Sequence, residues 1–147
     1  MKGRYHKRID VPVTRVGLHD LQARVDKCVS GWNLSQNDRN ALRTALEELI
    51  VNAISYGCDA SGDCDVSVEL TVDGGVLTAV ISDNTAPFDP LKAPPPVLDV
   101  PVEERPIGGC GIHLVRNLMD GFAYRYEDGR NIVTLTRALT RDSRGGQ

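Results

Sequence analysis

Three groups of residues have the types and spacing to do chemistry. Glu48 and Asn52 lie four apart in a stretch whose apolar residues recur at helical spacing. Four residues is a little over one helical turn, so the two side chains stand one above the other on the same flank. Thr44, Glu48, Asn52 and Ser55 form a polar stripe beside the apolar stripe of Leu42, Leu49 and Ala53, not opposite it. A carboxylate and an amide at the edge of a buried face are placed to look into a cleft; the plainer alternative is a solvated helix flank. The second group is Asp83-Asn84-Thr85-Ala86-Pro87-Phe88-Asp89-Pro90, directly after an alternating segment. A carboxylate leaving a central strand can accept a hydrogen bond from an exocyclic amine such as that of adenine, which a guanine ring does not offer at that edge. Its plainer reading is an Asx turn that ends the strand. The third group is Gly108-Gly109-Cys110-Gly111, three glycines in four residues at the opening of a helical segment. Backbone N–H groups unobstructed by side chains, together with the positive end of a helix dipole, bind phosphate, although such a turn also serves as plain chain reversal.

These groups need elements to hold them, and the hydrophobic patterning supplies a set. Ile9, Val11 and Val13 alternate with polar residues and predict a first strand over Arg8–Val13. Val16, Leu18, Leu21, Val25, Cys28 and Val29 follow at helical spacing and end near Gly31 and Trp32. Ser35 stands where an N-cap belongs, and a long helix is predicted from Gln36 to Tyr56, stopping at Gly57, with Leu42, Ala45, Leu46, Leu49, Ile50, Ala53 and Ile54 on one face. Val66, Val68, Leu70 and Val72 predict a strand that turns at Asp73-Gly74-Gly75 and returns over Val76–Ser82. From Asn84 to Gly108 regularity disappears, and seven of the eight prolines lie there. A short helix over Ile112–Met119 and a hairpin of Phe122–Tyr126 with Ile132–Leu139 across Asp128-Gly129 complete the pattern. The order predicts an α+β, two-layer sandwich: helices on one face of a mixed, mostly antiparallel sheet.

The chain is 147 residues long, 41% hydrophobic and 25% charged, a globular composition for one domain. Aromatic residues at 5% leave little from which to build a stacking platform for single-stranded nucleic acid, and a net charge of -3 advertises no polyanion partner. No apolar run is long enough to span a bilayer, which together with the absence of a signal-peptide core predicts a cytoplasmic protein. Cys28, Cys58, Cys64 and Cys110 are scattered without a Cys-x-x-Cys pair, so reduced thiols are expected, with neither a disulfide framework nor a zinc site. One domain over residues 1–140 and a frayed polar tail over 141–147 are expected.

Taken in order, Glu48-Leu49-Ile50-Val51-Asn52-Ala53, then Asp83 with Pro87-Phe88-Asp89-Pro90, then Gly108-Gly109-Cys110-Gly111 with Leu114-Val115-Arg116-Asn117-Leu118-Met119-Asp120, the chain resembles the GHKL ATPase superfamily. Within it the chain is most similar to the anti-sigma-factor serine/threonine kinases of bacterial partner switching, from about Tyr5 to Leu139, with no sensor or dimerisation domain attached. The resemblance implies a Bergerat-type nucleotide fold that takes ATP and Mg²⁺. It makes Glu48 the base toward the attacking hydroxyl and Asn52 the magnesium ligand. Asp83 becomes the reader of adenine, with Phe88 near the base. Gly108, Gly109 and Gly111, with Ile112 beside them, become the turn that wraps the phosphates. The segment 84–108 becomes a lid over bound nucleotide, with Arg105 on the γ-phosphate. The physical chemistry agrees, because magnesium takes oxygen ligands and keeps several waters, so one amide oxygen and the phosphates suffice. Phosphoryl transfer asks mainly for positioning and charge neutralisation.

The implied partners are a small antagonist protein phosphorylated on Ser or Thr and a sigma factor, without direct contact to nucleic acid or membrane; relatives commonly form homodimers. Two departures stand out. Thr85 and Pro87 occupy the places of the usual glycines after the aspartate, and Gly129-Arg130-Asn131-Ile132-Val133 replaces the usual Gly-Thr box. The altered loop motivates an alternative, a nucleotide-dependent binding module with little or no kinase activity. An interaction domain that has lost nucleotide binding is a third reading. A histidine-kinase fragment fits less well, because no phospho-acceptor helix precedes the domain.

Overall fold

The computed structural model describes residues 4–57, 63–92 and 109–139. Strand β1 (Tyr5–Pro12) leads into helix α1 (Arg15–Val29) and helix α2 (Gln36–Asn52), which continues as one π-helical turn, Ala53–Gly57. Strands β2 (Asp65–Asp73) and β3 (Val76–Asp83) follow, then a 3₁₀ turn at Pro90–Lys92, helix α3 (Gly109–Leu118), and strands β4 (Gly121–Glu127) and β5 (Arg130–Ala138). The sheet order is β1-β2-β3-β5-β4. All four pairings are antiparallel, which sharpens the expected mixed sheet.

Two tight turns set the registers. Gly74 and Gly75 both have positive φ (61° and 79°), as do Asp128 and Gly129 (53° and 76°). Two consecutive residues of that kind make the primed turn whose twist matches antiparallel strands. Period-two alternation then sends Val66, Val68, Leu70 and Val72 of β2, Leu77, Ala79 and Ile81 of β3, and Val133 and Leu135 of β5 to the inner face, where all are buried. Leu18, Leu21 and Val25 of α1, Leu42, Leu46 and Ile50 of α2, and Ile112 and Val115 of α3 close one core over that face. Each such aliphatic side chain contributes about 1.5–3 kcal/mol by leaving water.

The helix starts are fixed locally. The Thr14 hydroxyl accepts from the Gly17 N–H and Ser35 from the Asp38 N–H, so both helices have side-chain N-caps. Gly17 permits the close approach of α1 to β1, since a Cβ there would lie 2.0 Å from the Pro12 carbonyl oxygen. Asp38, fully buried, accepts from Arg137 Nε at 2.8 Å, and the same guanidinium donates to the Leu118 carbonyl. One arginine on β5 thereby ties the start of α2 to the end of α3, the two helices that carry the candidate site.

Four expectations need correction. Helix α3 begins at Gly109 rather than at Ile112, so Gly109 and Gly111 lie in its first turn and do not precede it. Strand β5 begins at Arg130 rather than Ile132, because the primed turn lets pairing start directly after Gly129. Val16, assigned to the apolar face of α1, is 79% exposed: it falls in the first turn, before the helix settles on the sheet. Cys64 is disulfide-bonded, whereas Cys28 is a free thiol as expected. A disulfide needs only two Cα atoms about 4.4–6.8 Å apart, which chain folding decides and a motif search does not see. Among the described residues no helix is long and apolar enough to cross a membrane.

Candidate functional site

Asp83 is the last residue of β3 and shares its inner face with Leu77, Ala79 and Ile81, so alternation turns its carboxylate toward the helix layer. Its direct cross-strand partner on β5 is Asn131. Oδ1 of Asp83 accepts from the Thr85 N–H at 3.1 Å, the Thr85 hydroxyl at 2.5 Å and Asn131 Nδ2 at 3.0 Å. Oδ2 makes no hydrogen bond among the described residues, and Asp83 lines an open cleft. A fixed carboxylate with one oxygen held and the other free is suited to accept from an amine on a planar ring.

The cleft encloses about 460 Å³ including its mouth, and its walls combine Leu49, Ile50, Ala53, Ile81 and Val133 with Asn52, Asp83, Thr85 and Asn131. Phe88 and Pro90, from the loop after β3, complete it. Apolar walls with a few convergent polar groups are what a heterocyclic ligand requires.

Asn52 enters this cleft from the last turn of α2, only 4% exposed, and among the described residues neither its Oδ1 nor its Nδ2 has a hydrogen-bond partner. A buried amide without partners costs about 1–3 kcal/mol per unsatisfied group, so a ligand or ion that supplies partners binds with that cost relieved. Asn52 suits magnesium, because a hard oxygen donor without a partner among the described residues stands at the wall of a cleft. The π-helical turn directly after Asn52 ends the regular α2 hydrogen bonding at this point, a device frequent at functional sites.

Glu48, one turn earlier on α2, meets the first turn of α3. A Cβ on Gly111 would lie 1.9 Å from Glu48 Oε2, so the glycine makes room for the carboxylate. Burial, followed by the negative charge of Glu47, holds the Glu48 carboxyl above the usual glutamate range, the direction that suits a proton acceptor working near neutrality. The N-terminal turn of α3 and a candidate base are therefore adjacent.

The structure brings Asn52, Asp83 and Phe88 to one cleft and sets Glu48 against Gly111 beside it. Gly109 is the first residue of α3. Ile112 is 2% exposed, a core residue whose side chain does not line the cleft. Arg105, Gly108 and residues 93–108 of the expected lid lie outside the described residues, as does the 141–147 tail. Sequence reasoning missed Asn131, Thr85 and Tyr124 as site residues. Asn131 Oδ1 accepts from the Phe88 N–H at 3.0 Å and from the Tyr124 hydroxyl at 2.6 Å. Burial and then the Asp89 carboxylate raise the Tyr124 pKa, so the phenol keeps the proton that it donates. The alternation of Val133 and Leu135 was the available signal, since two residues back from Val133 is Asn131.

Residues 12–137 match the model of the histidine kinase-like ATPase domain. The chain is 29% identical over 98 residues to the serine/threonine-protein kinase BtrW of Bordetella bronchiseptica, covering 67% of this chain and 69% of that protein. It is 28% identical over 96 residues to the serine-protein kinase RsbW of Listeria monocytogenes, covering 63% of this chain and 61% of that one. The solved structure of the RsbU and RsbW domains of Rv1364c from Mycobacterium tuberculosis superposes with a TM-score of 0.67 at 16% identity. That match covers 94% of this chain and 33% of the solved one, and it establishes the fold. With its cleft, its glycine-opened α3 and a family match over nearly its whole length, the chain belongs to the histidine kinase-like ATPase domain family.

Proposed function

We propose that the protein binds Mg-ATP in this cleft and transfers the γ-phosphoryl group to a Ser or Thr of a small antagonist protein, holding a sigma factor in the alternate state of a partner switch. Adenine lies against Ile81 and Val133 with its amine on Asp83 Oδ2. The phosphates run past Asn52 toward the N–H groups that open α3, with Gly109 and Gly111 leaving the backbone accessible. Asn52 Oδ1 is the protein's ligand to magnesium, which when bound neutralises charge on the phosphate oxygens. Glu48 takes the proton of the attacking hydroxyl as its oxygen bonds to the γ-phosphorus and the bond to the β-phosphate oxygen breaks. In this reading the lid expected over 84–108 supplies Arg105 and Gly108 to the phosphates; both residues lie outside those the structure describes.

The observation that carries this reading is the buried Asn52 amide, unpaired at both atoms among the described residues, in the same cleft as Asp83. The names of the two curated relatives, both protein kinases, support the reaction class. Incubation with labelled ATP, Mg²⁺ and a co-purified antagonist checks it. Label passes to the antagonist, and Glu48→Gln slows transfer by about 10²–10⁴-fold while nucleotide binding persists. Nucleotide-sensitive partner binding without transfer in the unmutated protein would instead establish the binding-module alternative.

A further inference from the structure

The loop that follows Asp83 lacks glycines, yet it closes tightly against the cleft, and one side chain accounts for its closure. Asn131 is 4% exposed and uses its whole amide on protein. Nδ2 faces Asp83 Oδ1 at 3.0 Å, the Ala86 carbonyl at 3.0 Å, the Thr85 hydroxyl at 3.2 Å and the Thr85 carbonyl at 3.3 Å. Oδ1 accepts from the Phe88 N–H and the Tyr124 hydroxyl. The orientation of the amide is forced, because a backbone N–H demands the oxygen on one side and a carbonyl demands the nitrogen on the other.

With both amide atoms committed, Asn131 has no capacity left to read a base. What it controls is Asp83, whose Oδ1 it holds directly and also through Thr85. Asp83 lines the cleft, and three donors on Oδ1 hold its carboxylate against rotation about its bond. Thr85, 5% exposed, belongs to the same clamp, filling with a hydrogen-bonded side chain the place a glycine would leave open.

We infer that Asn131, through Asp83 and Thr85, is the positioning residue that sets this protein's preference for a 6-amino purine. The inference rests on the nucleotide reading of the cleft and adds the residue that fixes its selectivity. Fixed acceptors discriminate a ring that offers an N–H from one that offers an oxygen, because the mismatched pair leaves buried acceptors facing each other.

Calorimetric titration with Mg-ATP and Mg-ITP, which differ at the 6-position of the ring, tests it. The unmutated protein binds ATP more tightly than ITP, and Asn131→Ala narrows that ratio by about tenfold, the size of one hydrogen bond. Tyr124→Phe, which removes only one donor to Asn131 Oδ1, narrows it less and serves where Asn131→Ala does not fold. In an Asp83→Asn background Asn131→Ala narrows the ratio no further, since the two act as one unit. Arg130→Ala breaks the hydrogen bonds to Asp65 and Ser82 made by the neighbouring residue of the same strand, and leaves the ratio unchanged. An ATP:ITP ratio retained in Asn131→Ala, or in Tyr124→Phe where the former is unfolded, overturns the inference while the nucleotide reading stands. Failure of the unmutated protein to bind either nucleotide overturns both.

Discussion

At the β3–β5 end of the cleft both side-chain polar atoms of Asn131 are hydrogen-bonded to protein, whereas at the α2 end the amide of Asn52, equally buried at 4% exposure, has no hydrogen-bond partner among the described residues. The first end is finished before any ligand arrives. It presents one carboxylate oxygen at a fixed angle between apolar walls. The second end holds a buried amide without partners among the described residues and a carboxyl whose ionised form is disfavoured by burial. A planar base needs a rigid receptor, while phosphates and a metal bring charge and hydrogen-bonding capacity of their own. Holding polar groups unsatisfied is costly to the fold, and it makes binding strongest where the ligand supplies what the protein lacks.

Substitutions should therefore act with opposite sign at the two ends. The largest effect on stability is expected from Asn131→Ala, which removes the acceptor shared by the Phe88 N–H and the Tyr124 hydroxyl and loosens Asp83. Urea denaturation should report a loss of about 2–4 kcal/mol. Next in size is Gly111→Ala. The new methyl meets the mobile end of Glu48 and not backbone, so the carboxylate swings aside and the fold is little disturbed. Phosphotransfer should fall by about 10²-fold for a displacement of that order, with an unfolding midpoint close to the parent's. Asn52→Leu, similar in shape and without polar atoms, should raise stability by about 1 kcal/mol in the same urea assay and weaken Mg-ATP binding more than tenfold. Equal loss of stability in Asn52→Leu and Asn131→Ala would erase the distinction between the ends.

The smallest effect is the pH dependence of Glu48. Its native pKa is raised above the unfolded value, so the fold favours the protonated carboxyl. That contribution is fully present below the ordinary glutamate pKa of about 4.3 and is lost as pH rises through the native value. Glu48→Gln, which stays neutral, should match the parent in stability at about pH 4 and exceed it at neutrality by less than about 1 kcal/mol, because solvent screens a half-exposed group. Thermal unfolding of both proteins across that range measures the difference.

Much of this layout is legible in the residues. The periodicity of α2 places Glu48 and Asn52 on one flank, and the capping serine, the two primed turns and the alternation of β2 and β3 are local signals that the structure follows. Asp83 was legible because it ends a patterned strand. Asn131 was legible only in part: the alternation of Val133 and Leu135 extends back to it, but only the pairing of β3 with β5 sets it opposite Asp83. Glu48 against Gly111 was invisible, since the two come together only when α3 packs on α2. The Cys64 disulfide belongs to the same class, being a matter of distance and not of motif.

Residue order by itself determined which segments are helix or strand, which faces are apolar, and which side chains carry charge or amide, because those follow from periods of 3.6 and 2 and from turn chemistry within a few residues. The tertiary structure alone decided which polar groups are satisfied and which are left waiting. That depends on strand register and helix contact between residues far apart in the chain, where packing of the shared core fixes the geometry and no local pattern records it.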